Sequence, residues 1–235
     1  MSLVQTAMGI IDTARISVPT VLDAALGRTT LERCDARLDW WARKILRDAD
    51  VRLAVRGLEH LGTARESFIV MSNHQSLYDI PVLFCAIPRR IRMVAKAELF
   101  NVPVWGQAMR AAGFVRVDRG DRKQAIESLR AGSAMLSEGT LLWIAPEGTR
   151  SPTGELGAFK SGGFHMALET GYRILPVAID GTRDVLRARG LVVRNHKKVV
   201  VTVLPPIDPR AYGTERRKEL MTAVRASIAS ALGHG

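Results

Sequence analysis

The chain has 235 residues and only two cysteines, Cys34 and Cys85. Two are too few for a disulfide framework, and neither stands in a metal-ligand spacing. Cys34 lies in a charged segment and Cys85 in an apolar run, so two free thiols in a reducing compartment are expected. Long hydrophobic runs are also missing. The nearest candidate, Met8 to Leu26, is broken by Asp12, Arg15, Pro19 and Asp23, which argues against a spanning helix. The N-terminus lacks the early basic region and compact apolar core of a secretory signal, so none is expected. There is no internal repeat, no low-complexity tract and no stretch rich enough in Ser, Gly and Pro to read as a disordered linker.

Acidic residues are the other shortage. Against 34 Lys and Arg stand 23 Asp and Glu, a formal net charge of +11. Such a surplus suits an anionic partner (nucleic acid, an acidic membrane surface or a phosphorylated substrate) or serves as a solvating coat. The basic residues are spread along the chain with no dense tract, unlike a nucleic-acid-binding arm. Otherwise the balance is that of a globular protein, with 47% apolar and 24% charged residues. The length suffices for one large domain with a full core.

Residues 1 to about 48 read as helical. In Leu31–Ala49 the apolar positions Leu31, Cys34, Leu38, Trp41 and Ile45 recur at three- and four-residue spacing, with Arg33, Arg37, Lys44 and Arg47 on the other side. A basic helix bordered by Trp40 and Trp41 suits a membrane interface, and equally an ordinary surface helix packed on a core. An earlier, weaker stripe includes Val4, Ala7, Ile11, Ala14, Val18 and Leu22, and Pro19 is expected to kink or restart it. From about residue 50 short apolar runs alternate with helical patterns. Strands are expected at 51–56, 67–72, 91–95, 114–117, 141–145, 174–179 and 199–204. Helices are expected at 80–87, 103–111, from Asp121 to about Glu138, 162–170 and 214–232. That alternation implies an α/β sheet with helices on both faces.

Two strand ends carry the chemistry. The first is Ser72-Asn73-His74-Gln75-Ser76-Leu77-Tyr78-Asp79, between a buried strand and a helix. His suits general-base work near neutral pH, and a nearby carboxylate can hold one ring nitrogen as N–H. Taken alone, the pair also reads as a helix-capping Asp and a loop His. The second is Pro146-Glu147-Gly148-Thr149-Arg150-Ser151, where Pro and Gly impose a turn that presents Glu147, Thr149 and Arg150 together. Arg is a natural phosphate ligand; a plain polar turn with a surface ion pair is the alternative. Between them lie Lys96-Ala97-Glu98-Leu99 and Val117-Asp118-Arg119. If the strands are parallel, a base, an orienting acid and two cations converge on one crevice. Such a crevice suits deprotonating a hydroxyl on a molecule that carries a phosphate.

Together these strings resemble the motifs of the glycerolipid acyltransferases, in particular the 1-acylglycerol-3-phosphate acyltransferase family. Asn73-His74-Gln75-Ser76 with Asp79 resembles the family's His-x4-Asp motif, and Pro146–Ser151 its Pro-Glu-Gly-Thr-Arg-Ser motif. Lys96 through Arg119 resembles the middle motif, and Leu175-Pro176-Val177-Ala178-Ile179 the last; Phe159, Lys160 and Gly162 also stand as in relatives. The match covers roughly residues 51–205, and four motifs in order are more specific than any one. Two positions depart from the pattern: Ala145 stands where relatives usually have Phe, and Arg116 where they often have an apolar residue.

The resemblance implies an α/β fold, a mostly parallel mixed sheet flanked by helices, preceded by an N-terminal two-helix membrane-surface module. Residues 1–49 would form that module, with Leu31–Ala49 at the interface, and residues 50–235 the acyltransferase domain. It implies transfer of a fatty acyl group from acyl-CoA or acyl-carrier protein to lysophosphatidic acid, giving phosphatidic acid, with no metal and no cofactor. His74 would be the general base and Asp79 its orienting partner. Arg119 and Arg150, helped by Lys96, would hold the phosphate, and Glu147, Gly148 and Thr149 would shape the glycerol site. Neutral His74 is required, so activity should fall at low pH. Glycerol-3-phosphate, another lysophospholipid or a lyso-aminolipid remains open as the acceptor. A non-catalytic membrane- or lipid-binding protein on the same fold is the rival of another class. The expected partners are an anionic membrane surface at the cytoplasmic face, the lysophospholipid and the acyl donor, with no nucleic acid.

Overall fold

A computed structural model describes residues 3–118, 122–133, 136 and 139–233; at 122, 123, 125, 126 and 133 the description covers the backbone alone. The chain opens with two helices, α1 (Leu3–Ala25) and α2 (Leu31–Asp48). Then follow β1 (Arg52–Arg56), β2 (Phe68–Ser72), α3 (Asp79–Ala86), β3 (Ile91–Lys96), α4 (Trp105–Ala111), β4 (Val115–Val117) and α5 (Arg122–Ser133). The second half runs β5 (Leu141–Ile144), α6 (Gly162–Thr170), β6 (Ile174–Asp180), α7 (Thr182–Val185), β7 (Lys198–Val203) and α8 (Arg217–Ala231). The expected cap Asp121 and the expected helix end at Glu138 lie outside the described residues.

Among the described residues, seven strands form one sheet in the order β1-β7-β6-β2-β5-β3-β4. Every neighbouring pair is parallel except β6 and β7. Strand β2 sits centrally and is buried along its whole length, as a continuous apolar run must be when helices cover both faces. Its alternation feeds two cores. Phe68 and Val70 pack with Val82, Leu83 and Ala86 of α3 on one face, while Ile69 and Met71 pack with Phe164, Met166 and Ala167 of α6 on the other. Each of the Phe, Val, Ile, Leu and Met side chains among them contributes about 1.5–3 kcal/mol when removed from water.

The order of strands has a consequence for ligand binding. Helix α3 leaves β2 on one face and α6 leaves the adjacent β5 on the opposite face. Neighbouring strands whose following helices part in this way open a crevice at their carboxyl ends, where open α/β sheets take ligands.

Helix α1 runs unbroken through Pro19 rather than restarting there. Along α2, Cys34, Ala42 and Leu46 are buried, Leu38, Trp41 and Ile45 are half-buried, and Leu31 and Trp40 are exposed; α2 packs against α3. More of the exposed apolar surface lies on α1. Its buried residues are Asp12, Ser17 and Thr20, while Leu3, Val4, Ile10, Ile11, Val18 and Leu22 face outward. Polar contacts explain the inversion. Trp41 donates to the Thr13 hydroxyl at 3.1 Å, Arg37 reaches the Asp23 carboxylate at 2.6 Å and Thr20 at 3.1 Å, and Lys44 stands 3.6 Å from Asp12. Helix α2 is anchored to the sheet by Asp35, which takes Arg90 and the 1% exposed Arg92, each at 2.7 Å. Among the described residues, no helix is long and apolar enough to cross a membrane.

Both cysteines are free thiols. Burial raises the Cys34 thiol and pushes Cys85 up to about 11. The thiolate is the nucleophile, so Cys85 in the folded protein is expected to alkylate with iodoacetamide at pH 8 about 100-fold more slowly than in the urea-unfolded chain. Peptide mass mapping over time reads this; equal rates would contradict the buried setting.

Candidate active site

The site begins with how the chain leaves β2. Ser72 accepts the indole N–H of Trp143 from the adjacent β5 at 2.9 Å. Asn73 binds Ile179 of β6 twice, donating to its carbonyl and accepting its N–H, both at 2.8 Å. These contacts fix the strand end between its two neighbours, and His74 emerges there with its side chain 15% exposed. The Trp143 ring stands edge-on to the imidazole, with centroids 5.9 Å apart.

Asp79 is 0% exposed and accepts four hydrogen bonds. Its Oδ2 takes the N–H groups of Gln75 at 2.8 Å and Ser76 at 2.9 Å, and lies 2.7 Å from Nδ1 of His74. Its Oδ1 takes the hydroxyl of Thr182. An oxygen that already accepts two backbone N–H groups has no hydrogen to donate, so Nδ1 of His74 carries the hydrogen of their contact. The ring's lone pair is therefore at Nε2. Asp79 bonds to residues that precede it, and α3 has Tyr78 as its N-cap, without a side-chain cap. The carboxylate thus orients His74 and the loop before the helix, rather than capping the helix.

Glu147 follows β5 and is buried. Its Oε1 accepts the N–H of His74 at 2.8 Å and its Oε2 the N–H of Gly157 at 2.9 Å. Burial raises the Glu147 carboxyl above the usual carboxylate range, while those two N–H groups pull it back. Glu147 therefore clamps the β2 end and the segment after the turn to β5. The turn itself is sewn in by Ser151 N–H to the His74 carbonyl at 2.7 Å and Lys160 N–H to the Pro146 carbonyl at 2.8 Å. Gly148 has φ +72°, a left-handed conformation that favours glycine, with the flexible end of the Lys160 side chain lying over it.

The expected site residues are placed as follows. His74, Asp79 and Glu147 share one connected hydrogen-bond network. Gly148, Thr149 and Arg150 lie on the same turn; Thr149 is exposed, and the half-buried Arg150 makes no hydrogen bond or ion pair among the described residues. Lys96 ends β3, with β5 between it and β2, and is exposed in an ion pair with Glu98 at 2.6 Å. Arg119 lies outside the described residues. Arg116 is exposed on β4, and Ala145 packs half-buried against the core. Sequence reasoning missed Thr182 and assigned no role to Asn73 or Trp143. For Thr182 the only local signal is a hydroxyl after a glycine at the end of β6.

The family model Acyltransferase matches residues 52–180, a stretch that includes His74 and Asp79, and places the chain in the acyltransferase class. The chain belongs to the 1-acyl-sn-glycerol-3-phosphate acyltransferase family. It is 31% identical over 219 residues to the 1-acyl-sn-glycerol-3-phosphate acyltransferase of Saccharomyces cerevisiae, covering 92% of this chain and 71% of that one. With the chloroplastic LPAT1 of Arabidopsis thaliana it shares 32% identity over 156 residues, 66% of this chain and 44% of the plant protein. The chain thus spans less than half the length of the chloroplastic relatives from Arabidopsis thaliana and Brassica napus. Among solved structures it resembles the crystal structure of the 1-acyl-sn-glycerophosphate (LPA) acyltransferase PlsC from Thermotoga maritima. The TM-score is 0.75 and identity 24%, over 95% of this chain and 96% of that one, a likeness of fold.

Proposed function

We propose that this protein transfers a fatty acyl group from acyl-CoA or acyl-carrier protein to the free hydroxyl of lysophosphatidic acid, giving phosphatidic acid. The observation that carries the reading is the imidazole held at Nδ1 by a buried, four-fold hydrogen-bonded carboxylate, which leaves Nε2 as base at the carboxyl end of the central strand. Nε2 takes the acceptor hydroxyl's proton as its oxygen attacks the thioester carbonyl. The tetrahedral intermediate collapses, the C–S bond breaks, and the imidazolium returns the proton to the leaving thiolate. The products are an ester and a free thiol, and the step needs neither metal nor cofactor. Arg150 and Arg119, with Lys96 nearby, hold the phosphate. Glu147 acts on the glycerol site through the turn it clamps, with Gly148 and Thr149 at its surface.

Residues 1–49 act in this reading as a membrane-association module for the acyltransferase domain at 50–235, at the cytoplasmic face. What supports it is α1, which buries polar residues and turns apolar ones outward. Ile10 and Ile11 are 68% and 60% exposed. Changing both to Asp is expected to lower partition into phospholipid vesicles about 100-fold, with the thermal midpoint unchanged. Co-sedimentation checks this, and undiminished binding would remove α1 as the lipid-facing element.

The reading as a whole is tested by incubating wild type with a long-chain acyl-CoA or acyl-carrier protein and lysophosphatidic acid or glycerol-3-phosphate. Phosphatidic acid is the expected product. Turnover only with glycerol-3-phosphate would change the acceptor, and no turnover in any pairing would leave the non-catalytic lipid-binding reading.

A further inference from the structure

We propose that Thr182 is a positioning residue of the acyl-transfer site, setting through Asp79 both the orientation and the basicity of His74. The proposal rests on the reading of His74 as general base. Thr182 lies 103 residues beyond Asp79 and is 0% exposed. Its hydroxyl is the donor to Asp79 Oδ1, while the other three donors crowd Oδ2. Those three all come from the segment 74–76, which is continuous with Asp79 in the chain. Thr182 is the contact that ties the carboxylate to the sheet from the other side, at the end of β6. Without it, Oδ1 loses its donor and the carboxylate is held from the 74–76 segment alone, through the three contacts on Oδ2.

The backbone around Thr182 is built to deliver that hydroxyl. Gly181 has φ +89°, and a Cβ there would lie 2.3 Å from the carbonyl oxygen of Lys198 at the start of β7. Glycine alone turns the chain there while β7 presses against it. The adjoining Ser76 is fixed in the same region, its hydroxyl donating to the Leu186 carbonyl just after α7 at 2.7 Å. The β6–β7 connection and the His74 loop are therefore joined at two points, and one of them ends on the catalytic carboxylate.

Among the described residues, the charged groups that face His74 are Asp79 from α3 and Glu147 from the loop after β5. Glu147 accepts the main-chain N–H, whereas Asp79 meets the ring. The Thr182 hydroxyl spreads part of the Asp79 negative charge away from the ring. Removing the donor concentrates that charge on the imidazole and favours its protonated form. Thr182→Val is therefore expected to lower kcat about tenfold at neutral pH, the lower range for one hydrogen bond to a charged group, with KM changed less than about twofold. The acid limb of its kcat/KM profile should move to higher pH, so that part of the lost activity returns on the alkaline side. Thr182→Ser keeps the donor and should match wild type in both respects. Gly181→Ala, which displaces Thr182 without touching its hydroxyl, should reproduce the Val profile.

The second readout is the downfield Nδ1–H proton resonance of His74, assigned by its loss in His74→Ala. It should move in Thr182→Val and stay in Thr182→Ser. An unmoved acid limb and resonance in a folded Thr182→Val protein would overturn the proposal. So would a Ser variant as impaired as the Val variant, because Thr182 would then act by packing alone. Should wild type transfer no acyl group, the functional reading fails by itself, and the resonance still decides whether Thr182 sets the His74–Asp79 pair.

Discussion

Replacing His74 with alanine is expected to lower kcat for acyl transfer about 10³-fold in a protein that still folds, within the range contributed by a positioned general base. The main-chain contacts of this residue explain why the fold should survive. Its N–H binds Glu147 and its carbonyl accepts from Ser151, and alanine keeps both bonds. Asp79 keeps Gln75, Ser76 and Thr182 as donors when the ring is gone. The substitution therefore removes the imidazole proposed as the base and little else. Steady-state rates with acyl-CoA and lysophosphatidic acid, alongside thermal melts, check it. Equal activity in the two proteins would remove His74 as the base.

Asp79→Asn should lower kcat by about 10²–10⁴-fold and move the acid limb of the profile to lower pH, opposite to Thr182→Val. The amide oxygen can take the place of Oδ2 toward Gln75, Ser76 and the ring. The amide nitrogen then faces the Thr182 hydroxyl, which can turn and accept. Geometry is thus largely retained while the negative charge beside the imidazolium is lost. A wild-type rate in Asp79→Asn would show that orientation, not charge, is what the carboxylate supplies. Opposite movements of the limb in the two variants would tie both residues to one electrostatic circuit.

Much of this site was legible because its motifs are local. His74 and Asp79 are five residues apart, so a strand end, a short loop and a helix start suffice to bring them together. The turn at Pro146–Ser151 announces itself by its proline and glycine, and both strings follow runs apolar enough to be buried strands. What Glu147 and Lys96 do was not legible in the same way. Both oxygens of Glu147 serve backbone N–H groups, which no side-chain pattern reveals. Lys96 is drawn to Glu98, two residues on, and a surface ion pair of this kind contributes little. The amphipathic stripes of α1 and α2 were visible, but not which of them faces the protein. Periodicity defines a face; what covers that face depends on the partners it meets, here Thr13 and Asp23 of α1 against Trp41 and Arg37 of α2.

By itself, the sequence determined the alternation of strands and helices, the family, and the residue types gathered at two strand ends. Those follow from short-range forces: the burial of apolar runs, the backbone limits of Pro and Gly, and contacts a few residues apart. Tertiary structure alone decided that β5 inserts between β2 and β3 and that β6 lies on the other side of β2. That order lets Glu147 reach His74 across 73 residues and Thr182 reach Asp79 across 103. Sheet order is settled by covering both faces of the central strands at once, a condition on the whole chain, and no local stretch of residues carries it.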